Sequence, residues 1–82
     1  MKYEYSITNE MGKYYQSNHE YVSADGRWVD NEIDATFMDE ADLLYILNES
    51  DIYIGKYGRI HLSYKRNYIG SITIDDFNSQ EV

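Results

Sequence analysis

The chain opens on an alternating pattern. From Lys2 to Thr8, the residues Tyr3, Tyr5 and Ile7 fall on one side and Glu4, Ser6 and Thr8 on the other, which predicts a half-buried strand. Asn9-Glu10-Met11-Gly12 has turn composition, and Gly12 is free to take a positive φ. Lys13 to Val22 pairs back as a hairpin, with Ser17-Asn18 as a point of interruption, and Ala24-Asp25-Gly26 is a second reversal of the Asp-Gly kind. Arg27 to Ile33 reads as a third strand.

The period then changes. Phe37, Ala41, Leu44, Tyr45 and Asn48 recur at helical spacing and form one face. Thr36 stands three residues before Asp39, a capping-box-like start with Thr36 as the N-cap. Asp39, Glu40 and Asp42 lie in the first turns, where the positive end of the helix dipole favours them. Asn48-Glu49-Ser50 reads as the exit.

Alternation returns after the helix. Ile52 and Ile54 flank Tyr53, and Tyr57-Gly58 supplies a turn. Ile60, Leu62 and Tyr64 alternate with Arg59, His61 and Ser63, and Lys65-Arg66-Asn67 makes the next turn. Tyr68, Gly70, Ile72 and Ile74 then alternate with Ile69, Ser71 and Thr73. Short connections make this a three-stranded antiparallel meander. The polar stretch from Asp75 to Val82 reads as a tail, frayed over 76–82. The expected fold class is therefore α+β, one helix packed on a mostly antiparallel sheet in the order ββ(β)-α-βββ, with residues 1–82 as a single domain.

Composition bounds the function. The chain has no cysteine, which removes disulfides and thiolate metal sites and fits a reducing compartment. Its N-terminus lacks the apolar run of a signal peptide, and Leu43-Leu44-Tyr45-Ile46-Leu47 is far too short to span a bilayer. A soluble, cytoplasmic protein with no membrane partner is the expectation. The formal net charge of −8 disfavours phosphate backbones and anionic lipid, and favours basic surfaces such as those of nucleic-acid-binding proteins. Ten tyrosines, with rings that are apolar and tips that are polar, suit half-buried sheet faces and binding surfaces alike.

Candidate catalytic chemistry is thin. The two histidines, His19 and His61, fall on the polar side of strand-like segments and lack metal-ligand spacing. Asp75 and Asp76 are adjacent and point apart on a strand, as a solvated end does. Gly55-Lys56-Tyr57-Gly58 lacks the spacing of a phosphate-binding loop, and no calcium-loop pattern occurs. No enzyme activity and no cofactor or metal are expected.

The charge map says more. Between Trp28 and Gly55 there are eight acids and no Lys or Arg: Asp30, Glu32, Asp34, Asp39, Glu40, Asp42, Glu49 and Asp51. On an extended segment, Asp30, Glu32 and Asp34 would share a face at roughly 7 Å intervals. The helix would carry Asp39, Asp42 and Glu49 on its outer side with Ile46 exposed among them. Such a row matches a groove built for phosphates. From Ile52 to Ile74 the sign inverts, with Lys56, Arg59, Lys65 and Arg66 and no acid.

Size, acidity, lack of cysteine and the α+β pattern together resemble the small acidic inhibitors that phages use against host defence, among them nucleic-acid mimics and anti-CRISPR proteins. The resemblance is one of character over the whole chain and carries no residue over. It implies occlusion of a DNA channel or protospacer-adjacent-motif site on a Cas effector or another nucleic-acid enzyme, inside a bacterial cell.

Three functions are therefore weighed. The first is an acidic protein-binding inhibitor that uses the Asp30–Asp51 block together with Ile46. The second is nucleic-acid binding through the late meander, where Lys56, Tyr57, Arg59, His61, Tyr64, Lys65, Arg66 and Tyr68 interleave cations with rings; the net charge weighs against it. The third is self-association, as a homodimer joined through opposite charges or a strand edge.

Overall fold

The computed structural model describes residues 2–19, 21–49 and 54–80. Five strands form one antiparallel sheet: β1 (Glu4–Thr8), β2 (Tyr14–Ser17), β3 (Gly26–Val29), β4 (Arg59–Tyr64) and β5 (Asn67–Thr73), in the spatial order β3-β2-β1-β4-β5. Helix α1 (Glu40–Glu49) lies between β3 and β4 in sequence, and a second helix, α2 (Ile74–Ser79), follows β5. The α+β class with a helix on an antiparallel sheet is as the alternation requires.

The two faces of the sheet differ because side chains alternate. Register places Tyr5 opposite Leu62 and Ile7 opposite Ile60, and this side meets Leu43 and Ile46 of α1. With Tyr15 and Met38 these residues make the core, and Ile72, Ile74 and Phe77 pack at its margin. Ser6, Thr8, His61 and Ser63 alternate with them and so share the other side, which carries neither α1 nor the core.

The Asn9–Gly12 turn forms as its residues dictate. Gly12 takes φ +76°, and the Asn9 side-chain oxygen accepts the Met11 and Lys13 amides at 2.9 and 3.0 Å. Two expectations fail beside it. The strand expected over Lys13 to Val22 stops at Ser17, and Gly26 is no turn residue but opens β3 opposite Ser17, so the chain reverses over the longer stretch between them. A Cβ at Gly26 would stand 2.6 Å from the Tyr15 hydroxyl oxygen, so the close approach of the two strands requires glycine.

Several expectations are corrected. The third strand ends at Val29, and Glu32–Asp34 is a single 3-10 turn, so Asp30, Glu32 and Asp34 do not line an extended segment. Helix α1 starts at Glu40, not Phe37, because Thr36–Met38 is drawn into the sheet. The Thr36 amide donates to the Tyr15 carbonyl, and Met38 and Tyr5 exchange amide bonds at 2.8 and 2.9 Å. Thr36 spends its hydroxyl on the Ser17 amide, and Asp39 caps instead, accepting the Asp42 amide at 2.8 Å.

The helix also buries a different stripe. Leu43 and Ile46 are 1% and 0% exposed, whereas Ala41, Leu44, Tyr45 and Asn48 face outward. Ile46 is therefore core, and not exposed among acids. Finally, the polar C-terminal stretch is helical from Ile74 to Ser79, because the Thr73 hydroxyl accepts the Asp76 amide at 3.1 Å and Phe77 reaches the core. The expected strand around Ile52 and Tyr53 lies outside the described residues, and Ile54 is in no strand.

Candidate functional site

The acidic block divides between the two sides of the molecule. On the helical side, Asp39, Glu40, Asp42 and Glu49 belong to α1 and its cap, and α1 has no Lys or Arg. Asp30, Glu32 and Asp34 belong to the segment beside β2 and β3. Asp30 is paired with Lys13 at 3.2 Å, and the Asp34 carbonyl accepts the Gln16 side-chain amide at 3.0 Å. Glu32 lies near enough to His61 for its charge to act on the imidazole. Asp51 lies outside the described residues.

What the helix presents outward is a narrow row, apolar except for its last residue. Ala41, Leu44, Tyr45 and Asn48 recur at i, i+3, i+4 and i+7, so they share one exposed face. Glu40 borders it on one side, and Asp42 and Glu49 on the other. Leu44 and Tyr45 remain 37% and 48% exposed. Asp39 is committed to its cap. Glu40 and Asp42 sit where the helix dipole favours acids, but Glu49 stands at the opposite end with no base in the last turn. Its charge works against the helix and has no partner among the described ion pairs.

The opposite side of the sheet, called the open face because α1 does not cover it, is mixed in character: Ser6, Thr8 and Ser63 are buried, Tyr14 and His61 are half-buried and Tyr68 is exposed. Register puts Tyr14 across from Thr8, and Tyr68 across from Ser63. Tyr14, His61 and Tyr68 form a row of rings with centroids 6.1 and 6.1 Å apart. The Thr8 hydroxyl lies 3.1 Å from His61 Nε2. Burial, with Arg59 nearby, holds the imidazole below its ordinary pKa, and Glu32 opposes that shift. Arg59 Nε donates to the Ser71 hydroxyl at 2.9 Å, and Arg27 Nε donates to the Gln16 side-chain oxygen at 2.8 Å.

The β4–β5 turn sits at one end of this face. Lys65 and Arg66 both take positive φ, 51° and 67°, without a glycine. Glu4 grips the second of them twice: one carboxylate oxygen accepts the Arg66 amide at 3.1 Å and the other faces Arg66 Nε at 3.3 Å. The guanidinium then lies 4.0 Å from the Phe37 ring centroid. A groove of about 400 Å³ runs beside it, lined by Glu32, Ile33, Phe37 and Arg66.

The cation-and-ring set expected from the late meander is split as well. Lys56 and Tyr57 precede β4 while Tyr64 ends it and Lys65 and Arg66 follow, one strand length of roughly 20 Å away. Tyr64 packs edge-on against Tyr3, and Lys65 lies over Tyr64. Only Arg59, Arg66, Tyr68 and His61 share the open face. The fold adds Tyr14 and Arg27, whose part was hidden in the N-terminal hairpin.

His19 is exposed and paired with Asp25 at 3.2 Å, and the Ser23 hydroxyl and His19 hold the Asp25 carboxyl below its ordinary pKa. Among the described residues, no group of three or more His, Asp or Glu is placed to hold a metal ion, and no helix is long and apolar enough to cross a membrane. No protein family, curated protein or solved structure matches the chain. The geometry therefore carries the functional argument alone.

Proposed function

We propose that this chain is a binding protein that docks the outer face of α1 on a basic protein surface, of the kind that holds nucleic acid. The observation that carries the reading is the exposed row of Ala41, Leu44, Tyr45 and Asn48 between acidic borders. A protein interface is built in the same way, with an aromatic or aliphatic anchor at the centre and charges at the rim that steer and select. Glu49 supports the reading further. A carboxylate that opposes the helix dipole costs about 0.3–1 kcal/mol, and a basic partner would turn that cost into attraction.

In its finer form, the partner is a nucleic-acid enzyme of a bacterial cell, such as a CRISPR-Cas nuclease, and the chain inhibits it by occlusion. The acids of α1 span roughly 15 Å, enough to displace a short stretch of backbone phosphates from a basic channel. Binding alone is sufficient for such a role.

Capture experiments test this. The immobilised chain is expected to retain basic nucleic-acid-binding proteins from a bacterial lysate and to release them to an added oligonucleotide. Leu44→Ser with Tyr45→Ser should abolish retention. Retention by that double variant, or indifference to the oligonucleotide, would remove the α1 face from the account.

A further inference from the structure

We infer that the open face of the sheet is a binding platform for single-stranded nucleic acid, with Tyr14, His61 and Tyr68 stacking bases and Arg59 and Arg66 meeting phosphates. This inference is independent of the α1 reading, because the two surfaces lie on opposite sides of the sheet.

Local charge is the first support. The chain is strongly acidic, yet its acids are not spread evenly. The side away from α1 carries Lys13, Arg27, Arg59 and Arg66 against Glu4, Asp30, Glu32 and Asp34, with Glu4 bound to Arg66 and Asp30 to Lys13, so its charges are close to balanced. The α1 side holds Asp39, Glu40, Asp42 and Glu49 without a cation on the helix. A polyanion approaching the molecule is therefore repelled at α1 and meets a near-neutral surface with fixed arginines on the other side.

The rings are the second support. Tyr14, His61 and Tyr68 come from β2, β4 and β5 and form a continuous row across the sheet. Tyr68 is 62% exposed, and none of the three belongs to the core. Every base has a π-face, so such a row accepts successive bases with little regard to sequence. Paired bases inside a duplex cannot reach it, because their faces are already stacked.

The turn is the third. Two consecutive non-glycine residues at positive φ are strained, and Glu4 holds the second by both its amide and its side chain. The result is a guanidinium held over the Phe37 ring, lining the groove with Glu32 and Ile33. An arginine held in that way meets a phosphate or stacks on a base with little further ordering cost.

Fluorescence anisotropy with labelled oligouridine and oligothymidine at low salt tests the inference, the two probes separating RNA from DNA. Binding of either strand is expected. Tyr68→Ala, at an exposed position, should weaken it about five- to a hundredfold. Arg59→Ala should lower the slope of log affinity against log salt by about one. Glu49→Gln on α1 should leave binding unchanged. Absence of binding to both strands at low salt overturns the inference. So does affinity indifferent to Tyr68→Ala and Tyr14→Leu, or a duplex bound as tightly as a single strand.

Discussion

Leu44 and Ile46 stand two residues apart in α1 and on opposite sides of it. Ile46 is wholly buried against Ile7 and Ile60, while Leu44 is 37% exposed beside Tyr45. Each apolar stripe of the helix thus has its own task. Ile46→Ala should cost about 2–5 kcal/mol of folding stability, the range for emptying a packed core position. Leu44→Ala should cost less than about 1 kcal/mol. Thermal melts of the two variants check this. Equal losses would mean that Leu44 is also core and that α1 has no free face.

Asp39 takes the capping role that the spacing assigns to Thr36. The Asp39 carboxylate caps the helix, and the Thr36 hydroxyl closes the gap between β2 and the inserted Thr36–Met38 segment. Asp39→Ala should destabilise the chain by about 0.5–2 kcal/mol and lower helical ellipticity. Asp39→Asn should restore most of both, since an amide oxygen also caps. For the same reason Asp39 is a poor choice for a charge-reversal test of binding, and Glu40 and Glu49 are better ones.

The β4–β5 turn contains a strained position that can be relieved. Lys65 takes φ 51°, a conformation that asparagine tolerates far better than lysine. Lys65→Asn should stabilise the fold by up to about 1 kcal/mol, read in urea denaturation. Arg66→Gly relieves the same kind of strain but gives up the Glu4 and Phe37 contacts, so no net gain is expected from it.

His61 sets a pH dependence. Its folded-state pKa is lowered, chiefly by burial and next by Arg59, so below about pH 6.5 the unfolded chain takes up a proton that the folded chain resists. The corresponding stability is complete above that pH and is lost as pH falls through the folded-state value. His61→Gln should flatten the stability profile between pH 7 and 5, because an amide does not titrate there. A wild-type profile that rises on acidification across this window would contradict the assignment.

Much of the fold was legible along the chain. The Asn9–Gly12 turn, the β4–β5 hairpin and the presence of α1 follow from alternation, turn chemistry and helical period. The Asp25-Gly26 reversal does not, because Gly26 is already in β3. A register shift at Leu62/Ser63 also puts Tyr68 opposite Ser63, off the Ile72 side that strict alternation gives it. The phase of α1 was not legible. Leu43 to Leu47 is apolar all the way round, so the buried stripe is chosen by what the sheet offers, namely Ile7 and Ile60. The insertion of Thr36–Met38 was also hidden, since three residues carry no readable period. Helix α2 left a signal that polar composition masked: Thr73 stands three residues before Asp76, as a cap does. Reading the acids as one block failed because a 3-10 turn at Glu32–Asp34 sends the first group to the far side of the molecule.

Photo-crosslinking tests the central claim most directly. A benzophenone residue is placed at Asn48, at the C-terminal end of the exposed α1 row, or at Tyr68 on the open sheet face, and each variant is irradiated in a bacterial lysate. The account predicts a protein adduct from position 48, suppressed by Leu44→Ser with Tyr45→Ser, whose identified partner has a basic nucleic-acid-binding surface. A protein adduct formed from position 68 and not from position 48 would contradict it.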